Sequence, residues 1–130
     1  MSRLVAIGIG CRRGVAGEAV AALVRRALAA HVAPDGERRL FTLAEKVGEP
    51  GLVEAARLLC APLAGLTSEA LAAEACRILT PSHAAEARFA VPNIAEAAAL
   101  AGAGPGGRLL GPRLAADGAT CAVALSAEPP

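Results

Sequence analysis

The stretch Leu4-Val-Ala-Ile-Gly-Ile-Gly-Cys-Arg-Arg-Gly14 decides how the rest of the chain is read. Leu4 to Ile9 is a short, nearly continuous apolar run bounded by glycine, the pattern of a strand buried on both faces in a helix-covered parallel sheet. Gly8, Gly10 and Gly14 are expected to mark a turn. From about Ala16 to His31, Val20, Leu23, Val24, Ala27 and Leu28 recur at helical spacing. Glu18 in the first turn and Arg25 and Arg26 toward the end suit the helix dipole. Strand, glycine-rich loop and helix in that order are where open α/β sheets place their ligand sites.

Outward from this unit, Pro34-Asp-Gly36 breaks the chain. Arg39 to Leu43 reads as a second strand. Pro50 to about Cys60 reads as a helix, with proline at the favoured first position and Leu52, Ala56 and Leu59 on one face. Pro62 to Leu66 reads as a third strand, and Thr67 or Ser68 caps a helix running to about Leu79, ended by Thr80-Pro-Ser82. Asn93 and Glu96 have the spacing of a capping box at the head of a helix over Ile94 to Ala101. Gly102 to Gly107 is a loop. Arg108 to Gly111 and Ala119 to Leu125 are the last strand candidates, with Asp117-Gly118 as a hairpin turn. The order predicts a three-layer α/β/α sandwich with a mixed, mainly parallel sheet of about five strands, the early strands parallel and the last pair antiparallel. Without an internal repeat or linker, residues 1–127 form one domain and 128–130 a short tail.

Composition narrows the function. The chain has 130 residues, 55% of them apolar with alanine dominant, no Trp or Tyr, and two phenylalanines, so closely packed helices with small side chains are expected. Thirteen basic against 12 acidic residues give a net charge of +1, no footprint for nucleic acid or a polybasic membrane contact. No uncharged stretch approaches the ~18 apolar residues of a membrane helix. The run Leu4 to Cys11 is followed by two arginines instead of a small-residue cleavage site, so it is not read as a signal peptide, and a cytoplasmic location is expected. Cys11, Cys60, Cys76 and Cys121 are widely spaced, without a Cys-x-x-Cys or a histidine at ligand spacing. They read as reduced thiols, mostly small core residues, and neither a metal nor a cofactor is expected.

Gly8-Ile-Gly-Cys-Arg-Arg-Gly14 carries the chemistry. Its glycines let a ligand approach the main chain, the following helix N-terminus offers free N–H groups, and Arg12 and Arg13 add two planar forks. A ligand bearing carboxylates or phosphates would suit it; a tight turn with solvated arginines is the plainer alternative. The spacing is neither a dinucleotide fingerprint nor a P-loop. Cys11, beside two arginines and a helix start, sits where thiol pKa values fall, though no base accompanies it. Lys46 and Glu49, in Lys46-Val-Gly-Glu-Pro-Gly-Leu52, lie on a loop expected to open toward the first. Lys46 could hold an acidic ligand and Glu49 act as acid or base, against the simpler reading of a glutamate favoured near a helix N-terminus. Glu96 has the same ambiguity, with capping as its default. Ser82 and His83 follow a helix end without a triad partner. The residues thus supply an anion-binding loop and no complete catalytic constellation.

Gly8 to Gly14 also resembles the opening motif of the CobE / CbiG C-terminal domain family of cobalamin biosynthesis. Lys46 with Glu49-Pro-Gly-Leu52, Thr80-Pro-Ser82, Val91-Pro-Asn-Ile-Ala-Glu-Ala-Ala-Ala-Leu100 and Ala119-Thr-Cys-Ala-Val-Ala124 follow in order at similar spacing, so the likeness spans nearly the whole chain. The chain departs from the family at Val15, where Thr or Ser is usual, at Ala44 for an acidic residue, at Ala90 for glycine and at Arg113 for lysine. The resemblance implies a role in corrin-ring synthesis on a precorrin-type tetrapyrrole, a macrocycle rimmed with acetate and propionate. It implies substrate-binding roles for Gly8, Gly10, Cys11, Arg12, Arg13, Gly14, Lys46 and Ser82, with Glu49 and Glu96 for acid–base work or loop support. In CbiG the reaction is opening of the ring-A δ-lactone, which would make an enzyme here a hydrolase. The alternative is a non-catalytic carrier that hands labile intermediates to other enzymes of the pathway. A nucleotide or phosphate binder is a third and weaker reading.

Overall fold

The structure, a computed structural model, describes residues 3–80 and 93–127. In chain order it contains β1 (Leu4–Cys11), α1 (Gly17–Ala30), β2 (Glu37–Leu43), a 3-10 turn at Ala44–Lys46, α2 (Pro50–Leu59) and β3 (Leu63–Leu66). Then come α3 (Ser68–Ala72), a 3-10 turn at Ala75–Arg77, α4 (Ile94–Ala103), β4 (Arg108–Leu109), β5 (Leu114–Ala116) and β6 (Ala119–Leu125). The sheet runs β3-β2-β1-β6, and β4 and β5 both pair with the far side of β6. β1, β2 and β3 are parallel, and β6 opposes each of its neighbours β1, β4 and β5. Five of the six strands thus run in one direction with β6 alone reversed, so the sheet is mixed and mainly parallel, with helices on both faces, as the sequence predicts.

Strand alternation assigns the two faces. Val5, Ile7 and Ile9 of β1 and Cys121, Val123 and Leu125 of β6 meet Val20, Leu23 and Val24 of α1 and Leu52 of α2. The opposite face is nearly all alanine: Ala6, Ala122 and Ala124 from the sheet against Ala95, Ala98, Ala99 and Ala103 of α4, with Phe41 beside them. Small residues are required there because α4 lies almost on the strand. A methyl group on Gly8 would sit 1.9 Å from the Ala95 carbonyl oxygen and 2.5 Å from the Ala99 nitrogen. Every residue of α4 from Ile94 to Leu100 is buried, so the helix is enclosed all round and is apolar there except for Glu96.

Several expectations need correction. β1 does not end at Ile9 and turn; it continues to Cys11, because β6 pairs along it from Val5↔Leu125 to Cys11↔Ala119 while β2 stops pairing at Gly8↔Phe41. Gly8 and Gly10 are thus strand residues, and the turn is confined to residues 12–16. The helix expected to reach Leu79 stops at Ala72, since Leu71 is its one buried residue and nothing supports a longer apolar face. The hairpin turn at Asp117-Gly118 is present, with φ of 53° and 82°. Its first strand is the short β5, a sixth strand, and not Arg108 to Gly111. Of the cysteines only Cys121 is buried; Cys11 is half-buried, and Cys60 and Cys76 are exposed.

Candidate functional site

The carboxyl ends of β1, β2 and β3 form one edge of the sheet. The 12–16 and 44–49 loops lie there, with the 117–118 hairpin, whose Gly118 carbonyl accepts from the Arg12 N–H at 2.9 Å. α4 runs against β1, with Ile94 over Gly10 and Ala95 over Gly8. α1, α2 and α4 therefore all turn their N-termini, with their unpaired N–H groups and partial positive charge, toward this edge.

The two loops are joined. The Gly14 N–H donates to Glu49 Oε1 at 2.7 Å, and the Glu49 N–H closes its own loop onto the Lys46 carbonyl at 3.0 Å. Gly14 has φ +80°, which a side chain would resist. The helix starts behind them are pressed together: a methyl on Gly51 would lie 2.2 Å from the Val15 carbonyl oxygen. Below the edge, Thr42 donates its hydroxyl to the Ile9 carbonyl at 2.7 Å, fastening β2 to β1 where their ladder ends. Arg12 and Arg13 are exposed and Lys46 half-buried. Among the described residues their side chains make no hydrogen bond or ion pair, so three cations stand at the edge without a protein partner.

Burial pushes the Cys11 thiol above its ordinary pKa; Lys46 pulls it down and Glu49 raises it further. This reverses the expectation of a lowered value: the strand partly encloses the sulfur, and desolvation outweighs the nearby lysine. Cys121, deep in the sheet, is pushed up to about 12 by burial alone.

Glu96 occupies a different environment. It is fully buried, and its Oε1 accepts from the N–H groups of Leu79 at 2.7 Å and Thr80 at 2.9 Å. Its Oε2 accepts from the Thr80 hydroxyl and the Arg113 N–H, both at 2.9 Å. Asn93 caps α4 by accepting from the Glu96 N–H at 3.0 Å and donates to the Thr80 carbonyl at 2.7 Å. Only half of a capping box forms, because the glutamate side chain turns away to bind Thr80 and Arg113. With both oxygens doubly engaged, Glu96 supports loops, and its negative charge sits against the positive end of α4. α1 and α2 are left as the helix ends open to an anion.

Of the residues singled out from the sequence, the structure brings Gly10, Cys11, Arg12, Arg13, Gly14, Lys46 and Glu49 to one edge. Gly8 lies deeper, under the backbone of α4, and its need for glycine is packing. Ser82 and His83, like the tail 128–130, lie outside the described residues. Thr42, the bond from the Arg113 N–H to Glu96 and the hairpin's contact with Arg12 escaped sequence reasoning. A lone polar residue inside Leu40-Phe-Thr-Leu43 was the available clue to Thr42. Among the described residues no group of three or more His, Cys, Asp or Glu is placed to hold a metal ion, and no helix is long and apolar enough to cross a membrane.

The profile of the family described as cobalamin synthesis G C-terminus matches residues 5–124. Protein CobE of Sinorhizobium sp is 38% identical over 119 residues, covering 91% of this chain and 77% of its own length. The crystal structure of CobE, a protein from the cobalamin (vitamin B12) biosynthetic pathway, aligns with TM-score 0.88 at 36% identity, over 96% of this chain and 92% of that one. Cobalamin biosynthesis protein chiG of Agrobacterium tumefaciens aligns with TM-score 0.71 at 36% identity, over 95% and 99%. A cobalamin biosynthesis protein G homologue from Sulfolobus solfataricus, 18% identical with TM-score 0.63 over 37% of its length, shares the fold.

Proposed function

The chain belongs to the cobalamin synthesis G C-terminal family and is a cobalamin-biosynthesis protein of the CobE/CbiG type; from that premise we propose that it binds a precorrin-type tetrapyrrole at the edge formed by residues 12–17 and 44–51. The observation that carries this reading is the set of three cations without a partner among the described residues, Arg12, Arg13 and Lys46, beside the N-termini of α1 and α2. Guanidinium forks and helix-end N–H groups are the groups that hold carboxylates, and a precorrin rim is a ring of acetates and propionates. On this reading the protein holds and hands over a labile intermediate. Lactone opening is the second reading. It requires a base, and Glu49 is the group to supply it: Glu96 has both oxygens committed, whereas Glu49 Oε2 makes no hydrogen bond among the described residues.

Absorbance titration of precorrin intermediates with the protein and with its Arg12→Ala/Arg13→Ala variant tests the proposal. Loss of a single charge-assisted contact costs about 1.5–3 kcal/mol, so the double variant is expected to bind at least about ten-fold more weakly even if only one of the two arginines touches the ligand, while unfolding at the same temperature. Equal binding by both proteins would place the tetrapyrrole elsewhere. Product analysis in the same mixtures separates carrier from hydrolase, since Glu49→Gln abolishes turnover but leaves binding only if Glu49 is the base.

A further inference from the structure

We propose, resting on that reading of the site, that the Glu49 carboxylate is an internal stand-in for a ligand carboxylate: it occupies the Gly14 N–H in the empty protein and is displaced when the ligand binds. Glu49 is the N-cap residue of α2, a position where a shorter Ser, Thr, Asp or Asn side chain would accept from its own helix. It makes no such cap bond. Its oxygen reaches 35 residues back along the sequence to the Gly14 N–H at 2.7 Å.

The surroundings of this bond favour exchange over bracing. The contact is exposed, and a side-chain carbon placed on Gly14 would meet nothing within 4 Å, so the main chain at this residue faces open space. Glu96 shows what a brace looks like in this protein: fully buried, with four donors on two oxygens. Glu49 by contrast uses one oxygen and makes no ion pair among the described residues with Lys46, although both act on Cys11. Among the described residues Arg12, Arg13 and Lys46 likewise have no anion partner, and the exposed acids Glu18, Glu45 and Asp117 on the same edge accept from none of them. An incoming carboxylate would take the Gly14 N–H with no net loss of hydrogen bonds, because the released Glu49 can turn to water or to the Gly51 N–H, which makes no hydrogen bond among the described residues, whereas the Leu52 and Val53 N–H groups already donate to the Glu49 carbonyl. The device favours ligands that carry a carboxylate and weakens binding of any that do not offer one at that point.

The test compares wild type, Glu49→Gln and Glu49→Ala in the full chain, using uroporphyrin as a macrocycle rimmed with acetate and propionate and citrate as a small polycarboxylate. Binding is read by absorbance titration for the first, by the Gly14 amide resonance for both. A displaced stand-in predicts that both variants bind uroporphyrin about three- to five-fold more tightly than wild type, with alanine at least as tight as glutamine. The glutamine oxygen still competes for the N–H, and alanine leaves it vacant. Tighter citrate binding in the same order would extend the device to any carboxylate, whereas an effect on uroporphyrin alone would tie it to the macrocycle. The opposite order, with alanine weaker than wild type and glutamine restoring affinity, would make Glu49 a brace and overturn the inference while leaving the site in place. Uroporphyrin affinity unchanged in Arg12→Ala/Arg13→Ala, or no binding to any of these proteins, would overturn the site and the inference together. Should alanine fail to fold, the glutamine variant decides: tighter binding supports the stand-in, and equal or weaker binding refutes it.

Discussion

Replacing Glu96 by glutamine separates a supporting carboxylate from a catalytic one. The carboxylate accepts four hydrogen bonds, two on each oxygen. In the variant the amide oxygen can keep Leu79 and Thr80, and the amide nitrogen can donate to the Thr80 hydroxyl. The nitrogen then faces the Arg113 N–H, donor against donor, and that part-buried backbone group is left without a partner. An unsatisfied buried donor costs about 1–3 kcal/mol, and hydrogen bonds to a charged acceptor are worth roughly 1 kcal/mol more than neutral ones. The sum is a destabilisation of about 2–4 kcal/mol, against some relief from no longer burying a charge. Alanine leaves three backbone N–H groups unpaired, and a loss of at least about 4 kcal/mol is expected. Urea unfolding followed by circular dichroism measures both, and a melting temperature lower by roughly 3–5 °C per kcal/mol should accompany them. A glutamine variant within about 0.5 kcal/mol of wild type would refute the clamp, and one that loses turnover at full stability would return Glu96 to catalysis.

Other perturbations test the fold. Gly8→Ala drives a methyl to 1.9 Å from the Ala95 oxygen, a backbone atom that cannot rotate away. About 3 kcal/mol of overpacking should exceed the ~0.5–1 kcal/mol that alanine gains in a strand, whereas Gly48→Ala, which meets nothing within 4 Å, should be neutral or slightly stabilising in the same urea titration. The raised thiols set an alkaline limit: Cys121 keeps its proton up to about 12 when folded, while the unfolded chain releases it at the ordinary thiol pKa. Between those values the unfolded state binds fewer protons, so stability falls as pH rises, by roughly 1.4 kcal/mol per pH unit for that group. Cys121→Ala should flatten this decline, which an unchanged slope would contradict. Cys11, raised in the same direction, should react slowly with iodoacetamide at neutral pH, and rapid labelling would show a thiolate that its burial does not allow.

The elements most legible in the sequence were those whose periodicity comes from one dominant contact. The α1 pattern Val20, Leu23, Val24 and Ala27 is the face that meets β1, and the alternation of β6 is its packing between α1 and α4. The Asp-Gly turn was legible because two successive positive φ angles leave few residue choices. What misled was glycine. Gly8 and Gly10 look like a loop, but glycine also serves where a helix backbone closes on a strand, and the sequence does not say which partner arrives from elsewhere in the chain. The same limit applies to Glu96, whose spacing from Asn93 suggested a cap while its partners lie at residues 79, 80 and 113. The pairing of the 12–16 and 44–49 loops was foreseeable from α/β topology alone; the Glu49–Gly14 bond that fixes it was not.

The most direct test of the central claim is a 1H–15N correlation spectrum of the protein during titration with a carboxylate-rimmed tetrapyrrole. If the ligand binds as proposed, the largest shifts fall on the amides of residues 12–17, 44–51 and 117–118, and they vanish in Arg12→Ala/Arg13→Ala. Shifts centred instead on the opposite edge of the sheet, around Arg3, Gly36 and Arg108, would contradict it.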